Sequence, residues 1–408
     1  MNSGKNPKQD RSQKTHARLL QAVYQIVAQD GLGALTHRRL AQHSGVSLAL
    51  TTYYFPRKAD IIRAASMSLM KGYLADYGRV EKSVATSGKG PKTLWEFSIR
   101  MLRVSTGPKW QETLAWAEIY LDAARDPGRQ DLVQDWMERL FVGWSEVADL
   151  VEPGLSDAQL QMRMDMTLGF LVMALALRLD RDQIDAGFAP GTVLLEVWAL
   201  PNGSGSKDLH RQAHKTRDAV LAAAIDILLE DGPGAISYTN LANRAGVAGS
   251  TPRYHYPALS DLLTEAQQAL FAASKDRYRA MSATVYRKAV TQTALIDLSF
   301  AVLAREVSDF RPNSAALFQL WLEAGRRPDL RASIWASIKD QADAWNRVFD
   351  RLYGPTHPNA GMYAQALFAG KLLRLLSSSG SENDLATTRA EFAVAFEELR
   401  QVLPAPTD

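Results

Sequence analysis

Apolar residues recur at helical spacing along most of the chain. Between residues 11 and 29 the positions Leu19, Leu20, Val23, Ile26 and Val27 make one stripe, and Asp30-Gly31 closes it, which predicts a first helix. A shorter segment follows. Thr36 is placed to cap it, Leu40-Ala41 offers a small packing face, and Gly45 stands where a helix end calls for positive φ, with Val46 turning in against the first helix. Ser47 caps the next segment, residues 48–54, which Pro56 stops; so short a helix is not stable alone and serves to present side chains. A long helix opens after Pro56. Residues 88–200 read as helix throughout, cut at Gly107-Pro108, Asp126-Pro127-Gly128, Glu152-Pro153-Gly154 and Asp180 into four or five helices. The pattern predicts an all-α protein.

The pattern then starts again. Residues 36–62 read THRRLAQHSGVSLALTTYYFPRKADII, and residues 237–263 read SYTNLANRAGVAGSTPRYHYPALSDLL. Leu40-Ala41, Gly45-Val46, Tyr53, Pro56 and Asp60 recur as Leu241-Ala242, Gly246-Val247, Tyr254, Pro257 and Asp261, each 201 positions later, so a duplicated unit is expected. The same shift relates Arg125 and Pro127 to Arg326 and Pro328, Trp144 to Trp345 and Gly169 to Gly370, which extends the repeat into the regions after the short helices. Pro201-Asn-Gly-Ser-Gly-Ser206 is the clearest break and reads as a flexible tether. Residues 167–177 and 368–376 are the most apolar helices, each with a central glycine that permits close approach. These, with the last helix of each half, are expected to join the two halves.

A short helix held at an angle by the one before it is the geometry that enters a DNA major groove. The segment GVSLALTTYYFPRKADII, with its Gly-Val turn, polar helix ending in Tyr-Tyr-Phe and Pro-x-Lys-x-Asp start of a long helix, resembles the tetracycline-repressor (TetR) family of transcription regulators. The resemblance covers about fifty residues in each half. It implies two TetR-like units, each a helix-turn-helix domain followed by a helical ligand-binding bundle. The expected division is 11–56 and 57–200 for the first unit, a linker at 201–208, then 209–257 and 258–405 for the second. By the same resemblance Tyr53, Tyr54 and Lys58 hold phosphates while Leu48, Thr51 and Thr52 face base edges, with Thr36, Arg38 and Ser47 beside them. In the second copy the corresponding set is Ser237, Tyr238, Gly249, Ser250, Thr251, Arg253, Tyr254 and His255. The copies differ. Pro252 forces the second short helix to begin near Thr251, Leu259 replaces Lys58, and Arg253, suited to guanine, stands where the first copy has Thr52.

Composition narrows the function further. The 408-residue chain is long enough for several cores and has no cysteine, which removes disulfides, thiolate metal sites and cysteine catalysis. Its net charge of +3 is small, so a nucleic-acid footprint depends on where cations sit. Lys5 and Lys8 in the polar first ten residues suggest a loose phosphate-binding arm. The basic start of the first helix, Arg11, Lys14, His16 and Arg18, has the counterpart Arg211, His214, Lys215 and Arg217. Arg57-Lys58 opens a helix, where cations oppose the dipole, and a nearby phosphate would offset that cost. The polar start shows no signal peptide, and the apolar run at residues 170–177 is too short to cross a bilayer, so a soluble cytoplasmic protein without a membrane partner is expected.

No HExxH, nucleophile elbow or Gly-rich phosphate loop appears, and His37 and His43, six apart, lie about 120° off one helix face. An enzyme, a metal site and a cofactor are therefore not expected. Trp95, Trp110, Trp116, Tyr120 and Trp144 crowd the first bundle, where the resemblance implies a small-molecule pocket, and Arg100, Glu112 and Glu118 can orient a polar group there. Each bundle is expected to hold a mainly apolar cavity, the first half being the better ligand site. The reading is a ligand-responsive regulator, a repressor on double-stranded DNA, acting as a monomeric pseudo-dimer on a non-palindromic site. A ligand-binding or protein-interaction module whose DNA readers have decayed is the alternative, separated from it by a salt-dependent DNA complex.

Overall fold

The structure, a computed structural model, describes residues 7–200, 215–285, 291–378 and 382–402. The tether at residues 201–206, Lys5, the side chain of Lys8, and Arg211 and His214 lie outside the described residues.

Every regular element among the described residues is a helix. The first half begins with α1 (Pro7–Asp30), α2 (His37–Ser44) and α3 (Leu48–Tyr54). Then α4 (Lys58–Ser87) leads into α5 (Leu94–Thr106), α6 (Trp110–Asp122), α7 (Gln130–Val151) and α8 (Asp157–Leu177), followed by the short α9 (Arg181–Gly187) and α10 (Leu194–Val197). The second half repeats the order with α11 (Lys215–Glu230), α12 (Tyr238–Ala245), α13 (Thr251–His255) and α14 (Leu259–Val285). Its bundle holds α15 (Gln292–Val307), α16 (Arg311–Arg326), α17 (Pro328–Tyr353), α18 (Ala360–Ser377) and α19 (Glu382–Val402).

Local chemistry sets the small helices. Thr36 Oγ1 accepts from the Arg39 N–H and Ser47 Oγ from that of Leu50, each at 3.2 Å, supplying partners for amides that the first turn leaves free. Gly45 and Gly246 sit at φ of 62° and 65°, and the chain turns there into α3 and toward α13. Ser237 caps α12 as Thr36 caps α2, but Ser250 makes no cap bond at α13, where Pro252 takes an early helical position.

The halves join through α8 and α18, the most extensively packed pair of helices. A Cβ on Gly169 would overlap the Ala366 carbonyl, and one on Gly370 would overlap that of Asp165, so glycine is what lets these backbones touch. By length and apolarity α8 passes as a membrane span, contrary to the expectation from its shorter apolar run. It is instead a core helix, with 83% of its most apolar window buried.

A charged cluster sits inside this apolar seam. Asp165 accepts from Lys371 Nζ at 2.7 Å and Arg374 Nε at 2.8 Å, and Glu391 of α19 pairs with the same two cations. Burial alone would raise the Asp165 carboxyl, but Arg374 and Lys371 outweigh it and hold it below the usual carboxylate range. The joining surface is also lopsided. The long α19 packs on α8, whereas the last part of the first half is two short helices, and the backbone around Thr192 and Leu194 is fastened to Asn359 instead. The last segment of each half does reach the other, as expected, but in the first half it is broken at residues 189–193 into short helices and contributes backbone bonds to Asn359.

Candidate nucleic-acid interface and effector cavities

In the first unit α3 stands with Leu48 52% and Tyr53 79% exposed, and Thr52 and Arg38 in solvent beside them. Thr51 is different. It is fully buried and its hydroxyl donates to the Leu48 carbonyl at 2.7 Å, so it cannot face a base edge as expected. Its counterpart Pro252 is buried too, and a proline at the equivalent position was the available signal that this point of the helix faces inward. Tyr54 is half-buried. Its hydroxyl lies 2.9 Å from Ser12 Oγ, tying the end of α3 to the start of α1, while Tyr53 projects freely.

Two equivalent residues fix the short helices. His37 Nε2 meets the Phe55 carbonyl at 2.7 Å, and Tyr238 OH donates to the Tyr256 carbonyl at 2.9 Å. Tyr238, expected at DNA, thus holds α13 in place. Arg253 is exposed with its guanidinium over the Tyr238 ring at 5.5 Å, Tyr254 is 83% exposed, and Gly249 and Ser250 are exposed in the turn. Thr251 and His255 are partly covered.

The first turn of α4 balances its own charge. Asp60 accepts from the Arg57 N–H at 2.9 Å and from its guanidinium at 3.1 and 3.2 Å; the bond from Arg57 holds the Asp60 carboxyl below its ordinary value. No external phosphate is needed to offset Arg57, which corrects the sequence argument. Lys58 Nζ donates to the Leu32 carbonyl at 3.1 Å, and burial lowers the pKa of its ammonium, with Arg129 adding to the effect.

The first bundle holds a cavity of about 80 Å³ walled by Trp116, Trp136, Trp144, Tyr73 and Tyr77 with Met101 and Met164. Trp116 stacks on Trp136 at 5.7 Å, and Trp144 Nε1 donates to Tyr77 OH at 3.3 Å. Burial pushes the Tyr77 phenol up to about 12, so it stays neutral. Of the expected ligand residues, Trp116 and Trp144 reach this cavity. Trp95 packs against Phe170, Phe188 and Tyr363, Trp110 lies under the Arg178 guanidinium, Tyr120 is buried against Trp116, and Arg100 is exposed on an outer groove. Glu118 pairs with Arg326, and Glu112 lines the groove between α1 and α4. The residues missed are Tyr73, Tyr77, Met137 and Met164.

A second cavity of about 590 Å³ lies in the second bundle. Six of its walls stand 201 positions after walls of the first: Tyr278, Val302, Gln341, Trp345, Gln365 and Phe368 match Tyr77, Met101, Leu140, Trp144, Met164 and Thr167. Its lining is mainly apolar, as expected, with Lys275, Asp340, Arg347 and Arg351 among its walls, and it is larger than the first, which was expected to be the better ligand site. Gln341 and Gln365 are polar replacements for Leu140 and Met164. The recurrence of Tyr77 as Tyr278 was visible in the sequence.

Two helix-turn-helix units, each continued by a helical bundle with a cavity lined at equivalent positions, make up the architecture of the described residues. Residues 290–404, which take in α15 to α19, match the family model described as "Tetracyclin repressor-like, C-terminal domain". No curated protein matches the chain. Among solved structures, the "Crystal structure of multidrug binding protein EbrR complexed with imidazole" is similar at 23% identity over 47% of this chain and 96% of that one, with a TM-score of 0.36.

Proposed function

We propose that the chain is a ligand-responsive transcription regulator of the tetracycline-repressor kind, a cytoplasmic repressor that a small hydrophobic or aromatic molecule releases from DNA. The observation that carries this reading is the pair of short helices with Tyr53 and Tyr254 projecting 79% and 83% into solvent, each held by a capped helix and backed by a bundle. Residues 11–56 and 209–257 are the reading domains and 57–200 and 258–405 the sensing bundles, joined by 201–208. In the first reader Leu48, Thr52 and Arg38 meet DNA, with Tyr53, Tyr54 and Lys58 on phosphates. In the second, Arg253, Ser250, Gly249 and Tyr254 do so. The readers differ, so the two half-sites differ and the operator is not a palindrome.

One chain acts as the pseudo-dimer. The charged cluster supports this, because Asp165, Lys371 and Arg374 have Ala366, Phe170 and Met173 as their counterparts. Pairing α8 with a second α8 would bury aspartates without these cations, and pairing α18 with itself would set four buried cations against only the two Glu391 carboxylates. The larger cavity is of ligand size, whereas the first must open to take more than a small group.

Electrophoretic mobility on DNA selected from random sequence tests the reading. A salt-dependent complex of one 45.1 kDa chain on a non-palindromic site is expected, and a strict palindrome held by two chains would sink it. Tryptophan fluorescence titrated with hydrophobic compounds should saturate. Decay of the second reader alone, which the uncapped five-residue α13 and Leu259 favour, would appear as footprinting over a single half-site.

A further inference from the structure

The turns after α1 and α11 abut, a Cβ on Gly33 lying 3.8 Å from the Gly234 Cα. On each side an arginine from the opposite half closes the contact. Arg125, just beyond α6, donates from Nη2 to the Leu228 carbonyl in the last turn of α11; burial lowers the pKa of its guanidinium, and Asp231 and Glu118 only partly offset this. A side chain at Gly232 would collide with that guanidinium. Arg326, its counterpart 201 positions later at the end of α16, lies against Gly31 of the first reader and pairs with Glu118, which also accepts from the Leu32 N–H at 3.4 Å. Both glycines hold φ near 80°, at 80° and 82°, so the turns that the arginines grip share one backbone shape.

We propose that Arg125 and Arg326 form a reciprocal clamp by which each bundle positions the reader of the other half. The link to sensing runs through α6, which carries Trp116 in the wall of the first cavity and ends beside Arg125. A guest that displaces Trp116 therefore acts on the second reader, across the junction between the halves. The two arms are unequal. Arg125 bonds the backbone of the second reader directly, whereas Arg326 reaches the first through Glu118, whose carboxylate accepts from the Leu32 N–H; the counterpart of Glu118, Gln319, lines the same junction without charge. The consequence for DNA binding rests on the regulator reading above; the clamp itself does not.

Hydrogen–deuterium exchange on the full chain tests the clamp without DNA or an effector, so its failure and the failure of the regulator reading are separate results. Arg125→Gln is expected to speed exchange about tenfold over residues 228–245 and leave residues 27–44 at their original rate, the effect of losing one charge-assisted bond on local opening. Arg326→Gln is expected to do the converse. Trp116→Ala should loosen residues 228–245 while Arg125 is present and have no further effect there in the Arg125→Gln background. If Arg125→Gln speeds exchange everywhere, Arg125→Lys, which keeps charge without the planar fork, decides the matter by the same local pattern. Loosening confined to the first reader, or absent from both, overturns the clamp. A Trp116→Ala effect undiminished by Arg125→Gln overturns the coupling.

Discussion

Replacing Asp165 with asparagine removes one negative charge from a site where nothing else can take its place. The carboxylate is fully buried and bonded to Lys371 Nζ at 2.7 Å, Arg374 Nε at 2.8 Å and Nη2 at 3.2 Å, and Gln161 Nε2 at 3.0 Å. Glu391 would remain alone against two buried cations. Breaking a buried pair in this way costs about 3–5 kcal/mol, a large share of the roughly 5–15 kcal/mol that holds a typical domain folded. Asparagine keeps the shape, so the loss is electrostatic rather than a cavity. Urea unfolding followed by tryptophan fluorescence and circular dichroism measures it. Adding Lys371→Met should recover about 1–3 kcal/mol, because the second change removes the cation that the first left unpaired. The pH dependence has a definite sign. The folded carboxyl titrates below its unfolded value, so its contribution is complete above about pH 4–5 and fades as pH falls through the folded value. The gap between Asp165→Asn and the parent chain should stay level from about pH 5 to 8 and close in acid. A variant within about 1 kcal/mol of the parent at pH 7 would refute the reasoning, since buried pairs that cost so little to break are not sustaining the seam.

Lys58→Ala is expected to weaken binding to all DNA sequences alike and to flatten the salt dependence by about one unit; altered base preference at unchanged slope contradicts its phosphate role. Thr52→Val should change base preference at one half-site with little effect on stability, whereas Thr51→Ala, at a fully buried position, should lower stability by about 1 kcal/mol and leave preference alone. Gly370→Val should prevent the halves from seating, since its side chain would occupy the Asp165 carbonyl, and the chain should then aggregate or lose its cooperative unfolding transition. Arg253→Ala should relax the second half-site at one base pair by about 1–3 kcal/mol and spare the first, read by selection on randomised half-sites.

Features governed by neighbours a few residues apart were legible before any coordinates. Thr36, Gly45, Ser47 and Pro56 bound α2 and α3 as expected, and Pro252 starts α13 at Thr251, because caps, positive φ and a missing N–H act within a single turn. Gly169 and Gly370 were legible for a similar reason, since a central glycine in an apolar helix has few uses besides close approach. Contacts between residues far apart in the chain were not. Periodicity assigns a residue to a helix but not to the helix it will face, so it could not separate Trp116 and Trp136 on the cavity from Trp95 and Trp110 outside it. Nor could it show Asp165 meeting Lys371 and Arg374 more than two hundred residues away, since periodicity names no partner for a charge in a mostly apolar helix. The inward turn of Thr51 and the reach of Lys58 to Leu32 depend on the angle at which α3 and α4 leave their turns. That angle, like the crossing of Arg125 and Arg326 between halves, is set by packing over the whole fold, whose energy comes from buried area and excluded water rather than from any local bond.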